Sequence, residues 1–212
     1  MYQERPDLQS YLRCQKGKFR RKRGTRKRVK QRRLSQFRSI DERPEVVATR
    51  SRLGDWEGDT VMGSERTKRI LTHVERRSGY GLGDLLLDVT AVIVQATTTQ
   101  RMQTFPKCKR KTITYDNGTE FGGDDALLEK NTQTRVYRAH PYHSWERGCN
   151  ENWNGLLRQF FPKGTDFTIL SQNDVDRAVH NLNHRPRKRL HYLTPHEVFV
   201  LGKIPTNEAF QT

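Results

Sequence analysis

The chain has 212 residues, 33% hydrophobic and 30% charged, with 40 Lys+Arg against 24 Asp+Glu and a formal net charge of +16. That length accommodates one domain with a real core plus extensions, and the charge favours a polyanion as partner, a structural nucleic-acid binder being the plainest such protein. The composition argues against a membrane protein: no apolar run is long enough to span a bilayer, and the first residues lack the apolar centre of a secretory leader.

The charge is uneven along the chain. Residues 1–43 hold 16 Lys+Arg and 4 Asp+Glu, so a basic N-terminal arm carries most of the excess and residues 44–212 are only mildly basic. "KGKFRRKRGTRKRVKQRR" (16–33) has almost no apolar periodicity. It is expected to follow DNA phosphates through Arg20, Arg21, Lys22, Arg23, Arg26, Lys27 and Arg28; a merely solubilising tail is the bland reading. "IDERPEV" (40–46) reads as a linker, extended before Pro44. Cys14, Cys108 and Cys149 are odd in number and form no CxxC pair, which excludes a zinc ribbon and makes a reducing, intracellular setting the default.

From residue 53 the texture becomes strand-like. "DWEGDTVMG" (55–63), "RILTHVERR" (69–77) and "YGLGDLLLD" (80–88) predict three strands in series, an antiparallel meander. "TAVIVQATTTQRMQTF" (90–105) is too long for one strand, and Thr90 as N-cap with Pro106 as stop favours a helix. "KTITYD" (111–116) predicts a fourth strand, "GDDALLEKN" (123–131) a short helix and "QTRVYRA" (133–139) a fifth strand. Helices dominate the rest. In "NENWNGLLRQFFPKG" (150–164), Asn150 reads as N-cap, Trp153, Leu156, Leu157 and Phe160 form one apolar face, and Pro162 closes the helix. Ser171 with Asp174 caps a helix over 171–185, and Thr194, Pro195 and Glu197 open another. His180 and His184 lie four apart on the first of these, with no acid or cysteine to complete a metal site.

The acids admit a chemical reading beside a bland one. Asp55, Glu57 and Asp59 alternate, so they share one face of the first strand; solvated acids on an edge strand would be the bland explanation. Asp116 ends the fourth strand, where open α/β sheets carry their sites, although an Asx turn into Asn117-Gly118 explains it as well. Glu151, Asn154 and Arg158 fall at i, i+3 and i+7 on the polar face of their helix. Two strand aspartates and a helix glutamate suit two divalent ions about 3.5–4 Å apart, in the manner of phosphodiester chemistry with Mg²⁺. Arg158 would then hold a DNA phosphate. Glu146 is the competing acid, placed in the loop ahead of the helix.

"GDWEGDTV", "TITYDNGTEF", "HPYHSWERGCNENWNGLLRQFFPKGTDF" and "LNHRPRKRLHYLTPHEVF" together resemble bacterial insertion-sequence transposases of the IS-thirty family, over about Ile40 to Phe199. The resemblance implies an α/β, ribonuclease-H-like fold similar to retroviral integrases: a mixed five-stranded sheet flanked by helices, with a basic N-terminal extension (1–43) before the core (44–212). It implies a catalytic and metal-binding triad of Asp59, Asp116 and Glu151. The 34 residues between Asp116 and Glu151 approach the family spacing, whereas Glu146 would leave 29. By the same resemblance Asn117, Gly118, Asn154 and Arg158, with Lys163, are expected to face the site or DNA. Mg²⁺ is the expected cofactor, with Mn²⁺ substituting. The expected partners are transposon ends and target DNA, in a homo-oligomer in the bacterial cytoplasm. The expected reaction is DNA cleavage and strand transfer; the alternative is a truncated, non-catalytic DNA-binding remnant or inhibitor. The family usually carries His where this chain has Asp55, and it carries helix-turn-helix regions ahead of the core. This chain starts at what reads as the end of such a region, so a partial product or isolated core is expected.

Overall fold

The computed structural model describes residues 37–65 and 67–205. The basic stretch 16–33, with Arg20, Arg21, Lys22, Arg23, Arg26, Lys27 and Arg28, lies outside them, as does Cys14.

A short helix α1 (Glu45–Ala48) leads into strands β1 (Asp55–Met62), β2 (Arg69–Glu75) and β3 (Gly81–Leu86). Helix α2 (Ala91–Gln103), β4 (Thr112–Tyr115), α3 (Asp125–Thr132) and β5 (Arg135–Arg138) follow, then α4 (Gly148–Leu157), α5 (Gln172–Asn183) and α6 (Pro195–Phe199). The sheet order is β3-β2-β1-β4-β5. The first three strands form the expected antiparallel meander, while β4 pairs parallel with β1 and β5 parallel with β4. This is the mixed five-stranded sheet of a ribonuclease-H-like fold. β1 lies at its centre, which removes the edge-strand explanation for the β1 acids.

Helices cover both faces. On one side Trp56, Leu71, Ile113, Tyr115 and Val136 pack with Val94 and Met102 of α2, Leu128 of α3 and Phe199 of α6. On the other, Val61, Ile70 and Val74 pack with Trp153, Leu156 and Leu157 of α4 and Val175, Ala178 and Leu182 of α5. Each fully buried side chain of this size contributes about 1.5–3 kcal/mol. The caps read from sequence are present: Thr90 accepts from Ile93 N, and Ser171–Asp174 and Thr194–Glu197 form capping boxes. α4 differs. Its helix begins at Gly148, continuing a 3₁₀ turn over Ser144–Arg147, and ends at Leu157, well before Pro162. Asn150 is not its N-cap; the side chain is buried and donates to the Glu57 carbonyl at 2.8 Å. A long-range hydrogen bond has overridden the local capping preference.

Both sheet edges are covered, as isolated domains require. At β3, Asn183 pairs with both the N–H and C=O of Gly81, while Gln172, at the other end of α5, accepts from Leu85 N and donates to Gly83 O. At β5, Ser39 forms a parallel bridge with Arg138, and Glu129 accepts from Val136 N at 2.8 Å. The stretch read as a linker is folded against the sheet: Ile40–Glu42 is a 3₁₀ turn capped by Ser39, and Arg43 donates to Thr114 Oγ1 at 3.1 Å.

Candidate active site

The β1–β4 register places the two aspartates. Asp55, Trp56 and Glu57 pair with Thr112, Ile113 and Thr114. Two more steps along the same register set Asp59 beside Asp116, just beyond the point where the two strands stop pairing. Gly58 lies between, against the ring of Tyr115. A Cβ there would come within 2.1 Å of Tyr115 Cε1, so only glycine admits the ring.

Each aspartate ties one oxygen to the main chain. Asp59 Oδ1 accepts from Thr60 N at 2.8 Å, and Asp116 Oδ1 accepts from Gly118 N at 2.8 Å. The second of these is the Asx turn read from sequence. It leaves Asp116 Oδ2 turned elsewhere, toward Arg147. Arg147, from the turn before α4, reaches both free oxygens: Asp59 Oδ2 at 3.4 Å and Asp116 Oδ2 at 3.1 Å. Asn154 also donates to Asp59 Oδ2, at 3.1 Å, and accepts from Thr72. Burial raises the Asp59 carboxyl above its ordinary value, and the nearby guanidinium partly offsets this.

Glu151 lies on the same stripe of α4, four residues after Arg147 and three before Asn154, both of which touch Asp59. Its side chain is exposed, and it makes no hydrogen bond or ion pair among the described residues. Glu146 is committed elsewhere: it bonds His140 and His143. Asp55 stays out of the site, clamped by Arg52 at 2.9 and 3.0 Å and by Thr112 at 2.8 Å. Glu57 is fully buried against Arg76 at 2.7 Å and Asn150 N at 2.9 Å, and burial raises its carboxyl as well.

The other expected contacts divide. Asn154 faces the acids. Asn117 donates to Ala139 O at 2.6 Å, bracing the Asp116 turn. Arg158 donates to Met62 O at 2.7 Å, so in this structure its guanidinium ties α4 to the end of β1. Lys163 is exposed in the turn after α4. His180 and His184 stack on each other at 4.0 Å and continue onto His196.

Arg147 was not singled out in the sequence. The signal available was its place four residues ahead of Glu151, on the same helical face. Its position tests the fit of a metal. Two carboxylates aim free oxygens at one cationic group, and oxygen-only donors of this kind suit Mg²⁺ or Mn²⁺. The residues therefore fit a divalent ion. Among the described residues, no helix is long and apolar enough to cross a membrane.

No family model matches the chain. Among curated proteins, it is 42% identical over 162 residues to the transposase for insertion sequence element IS4351 of Bacteroides fragilis, across 76% of this chain and 48% of that protein. It is 37% identical over 163 residues to transposase InsI for insertion sequence element IS30A of Escherichia coli K12, across 77% of this chain and 42% of that protein. The chain thus spans about half the length of the curated relatives it matches. Among solved structures, the catalytic core domain of BIV integrase superposes with a TM-score of 0.54 at 20% identity, over 70% of this chain and 94% of that one. That likeness concerns the fold.

Proposed function

Because the chain belongs to the IS30 family of insertion-sequence transposases, of which it spans the integrase-like core, we propose that it carries a DNA strand-breaking and strand-joining centre. A phosphodiester at the element's end would be hydrolysed to release a 3′-hydroxyl, and that hydroxyl would attack target DNA. The observation that carries this reading is the pairing of Asp59, within β1, with Asp116, just past the end of β4, their Oδ2 atoms turned to one cation and Glu151 on the facing helix.

Asp59, Asp116 and Glu151 are the residues that would hold Mg²⁺ or Mn²⁺. When bound, such ions activate the attacking oxygen and neutralise the leaving one. The chain's own groups prepare the site. Thr60 N and Gly118 N fix one oxygen of each aspartate, so the other stays aimed. Asn154 orients Asp59 through a bond that Thr72 anchors. Arg147 offers a planar pair of donors to an entering phosphate. Asn117, Arg158, Lys163 and the basic arm are assigned to DNA. A basic cleft lined by Arg50, Arg187 and Lys188 on the far side of α4 supports an extended polyanion contact. Assembly on paired DNA ends would need more than one copy of the chain.

The test is nicking of supercoiled plasmid and joining of end-bearing oligonucleotides in Mn²⁺. Asp59→Ala, Asp116→Ala and Glu151→Ala should each reduce both activities at least about 1,000-fold while DNA affinity changes little. Three variants that nick as well as the parent would refute the triad. A second reading draws on Arg147, which already neutralises both aspartates: a form that binds DNA without cutting it. Firm, salt-sensitive binding with no nicking would favour that form.

A further inference from the structure

The segment between β5 and α4 carries His140, His143 and Glu146, spaced H-x-x-H-x-x-E. The triad does not use it. Glu146 folds back so that Oε2 accepts from His140 N at 2.8 Å. Its Oε1 then meets Nδ1 of His140 at 2.8 Å and Nδ1 of His143 at 3.2 Å. Among the described residues, this is the one place where three His, Cys, Asp or Glu side chains bring ligand atoms within 4.8 Å of one another.

Two imidazoles and a carboxylate make a different donor set from that of the aspartates. Nitrogen donors suit Zn²⁺ and its neighbours, whereas Mg²⁺ prefers oxygen alone. In a tetrahedral site with bonds of about 2.0–2.2 Å, ligand atoms stand roughly 3.3–3.5 Å apart. The separations of 2.8 and 3.2 Å would open by roughly 0.1–0.7 Å to reach that spacing. The outer contacts also match. His140 turns its other nitrogen, Nε2, to Asp41 Oδ2 at 2.9 Å. A carboxylate behind a ligating imidazole is the arrangement that fixes tautomer and ring orientation in histidine metal sites. Access is open, with the His140, His143 and Glu146 side chains 37%, 43% and 17% exposed.

We propose that His140, His143 and Glu146 form a second cation site, selective for Zn²⁺ or a similar imidazole-preferring ion over Mg²⁺, with water completing the shell. The ion would cross-link residues 140 and 146 directly ahead of Arg147, and through Asp41 would pin the Ile40–Glu42 turn to the same loop. It would thus hold the approach by which Arg147 reaches Asp59 and Asp116. The competing account is a purely hydrogen-bonded hub centred on His140.

The experiment is Zn²⁺ competition against a chromophoric chelator, using the full chain stripped of metal and held in excess Mg²⁺ at neutral pH. One equivalent should be retained. His140→Gln or His143→Gln should weaken affinity at least 100-fold, and Asp41→Asn, which leaves all three ligands in place, about 10- to 100-fold. The double variant Asp59→Asn/Asp116→Asn should bind as the parent does. Co²⁺ gives a second reading, a visible tetrahedral spectrum in the parent that disappears in His143→Gln, with far-ultraviolet circular dichroism verifying that the variant is folded. No uptake in excess Mg²⁺, uptake unchanged in both histidine variants, or uptake abolished by the aspartate double variant would each overturn the assignment.

Discussion

Asp59 and Asp116 hand their Oδ2 atoms to the same guanidinium, that of Arg147, at 3.4 and 3.1 Å. Two carboxylates this close repel each other, and Arg147 is the cation that makes their proximity tolerable. A divalent ion held by these aspartates would compete with it. A hydrogen bond to a charged partner is worth about 1.5–3 kcal/mol. Arg147→Ala is therefore expected to tighten Mg²⁺ binding roughly tenfold in a calorimetric titration. Equal or weaker binding would show that the guanidinium and the ion do not exclude each other.

Gly118 N holds the other oxygen of Asp116, Oδ1, at 2.8 Å. A Cβ there would come within 2.9 Å of Asp116 Oδ1 and 2.7 Å of Glu120 Oε2. Glu120 has little freedom to move, being held by Arg69 at 2.6 Å and Thr60 at 3.2 Å. Gly118→Ala should displace the Asp116 carboxylate. Nicking is expected to fall about 10- to 100-fold, since a misplacement near 1 Å costs on that order. The melting temperature should move by less than about 3 °C, because a single kcal/mol shifts a domain of this size by only about 2–4 °C. Full activity in this variant would mean the turn is not what aims Asp116.

Glu57 is the most deeply committed acid. It is paired with Arg76 at 2.7 Å and accepts from Asn150 N, and both charged side chains are buried. Removing one partner leaves the other charge uncompensated, at a cost of about 3–5 kcal/mol. Glu57→Ala should lower the melting temperature by roughly 10 °C, and Glu57→Gln, which keeps an acceptor for Asn150, by less. A near-neutral alanine variant would place the pair in solvent.

His73 predicts the acid limb of stability. It lies fully buried between β1 and β3, with Nε2 bonded to Tyr115 Oη at 3.1 Å, and burial pushes its imidazole down to about 3. The unfolded value is about 6.5. The folded state therefore keeps a neutral ring that the unfolded chain protonates. Its contribution is complete above about pH 6.5 and is lost as the pH falls toward 3. At pH 5 the loss amounts to about 2 kcal/mol. Glu57, Asp59 and Glu75 are raised by burial and act in the opposite sense, so the comparison must be with His73→Gln. Urea midpoints at pH 7 and pH 5 should differ more in the parent than in the variant; parallel shifts would contradict the assignment.

Local chemistry made much of this legible. Turn residues marked the meander, and Thr90, Ser171 and Thr194 marked helix starts because their side chains bond groups two or three residues away. Trp153, Leu156 and Leu157 gave the buried face of α4 through spacing alone. What escaped depended on partners far along the chain. Asn150 looked like a cap until β1 supplied the Glu57 carbonyl, and Arg147 gained its meaning only when β1 and β4 came side by side. The resemblance supplied the five-stranded sheet as a whole, since no local pattern states that β4 lies next to β1 rather than β3.

The β1–β4 pairing also has an evolutionary corollary. Gly54 O receives the N–H groups of Lys111 and Thr112, and from there five residues lead to Asp59 and five from Lys111 to Asp116. The two segments are matched rulers. Inserting or deleting one residue in either would rotate its acid to the opposite face of the sheet and unmatch the pair. Those two five-residue segments should not tolerate a change in length. The stretch from Asp116 to Glu151 instead runs through α3, β5 and the turn before α4, and Trp153 docks α4 against the sheet so that Glu151 follows.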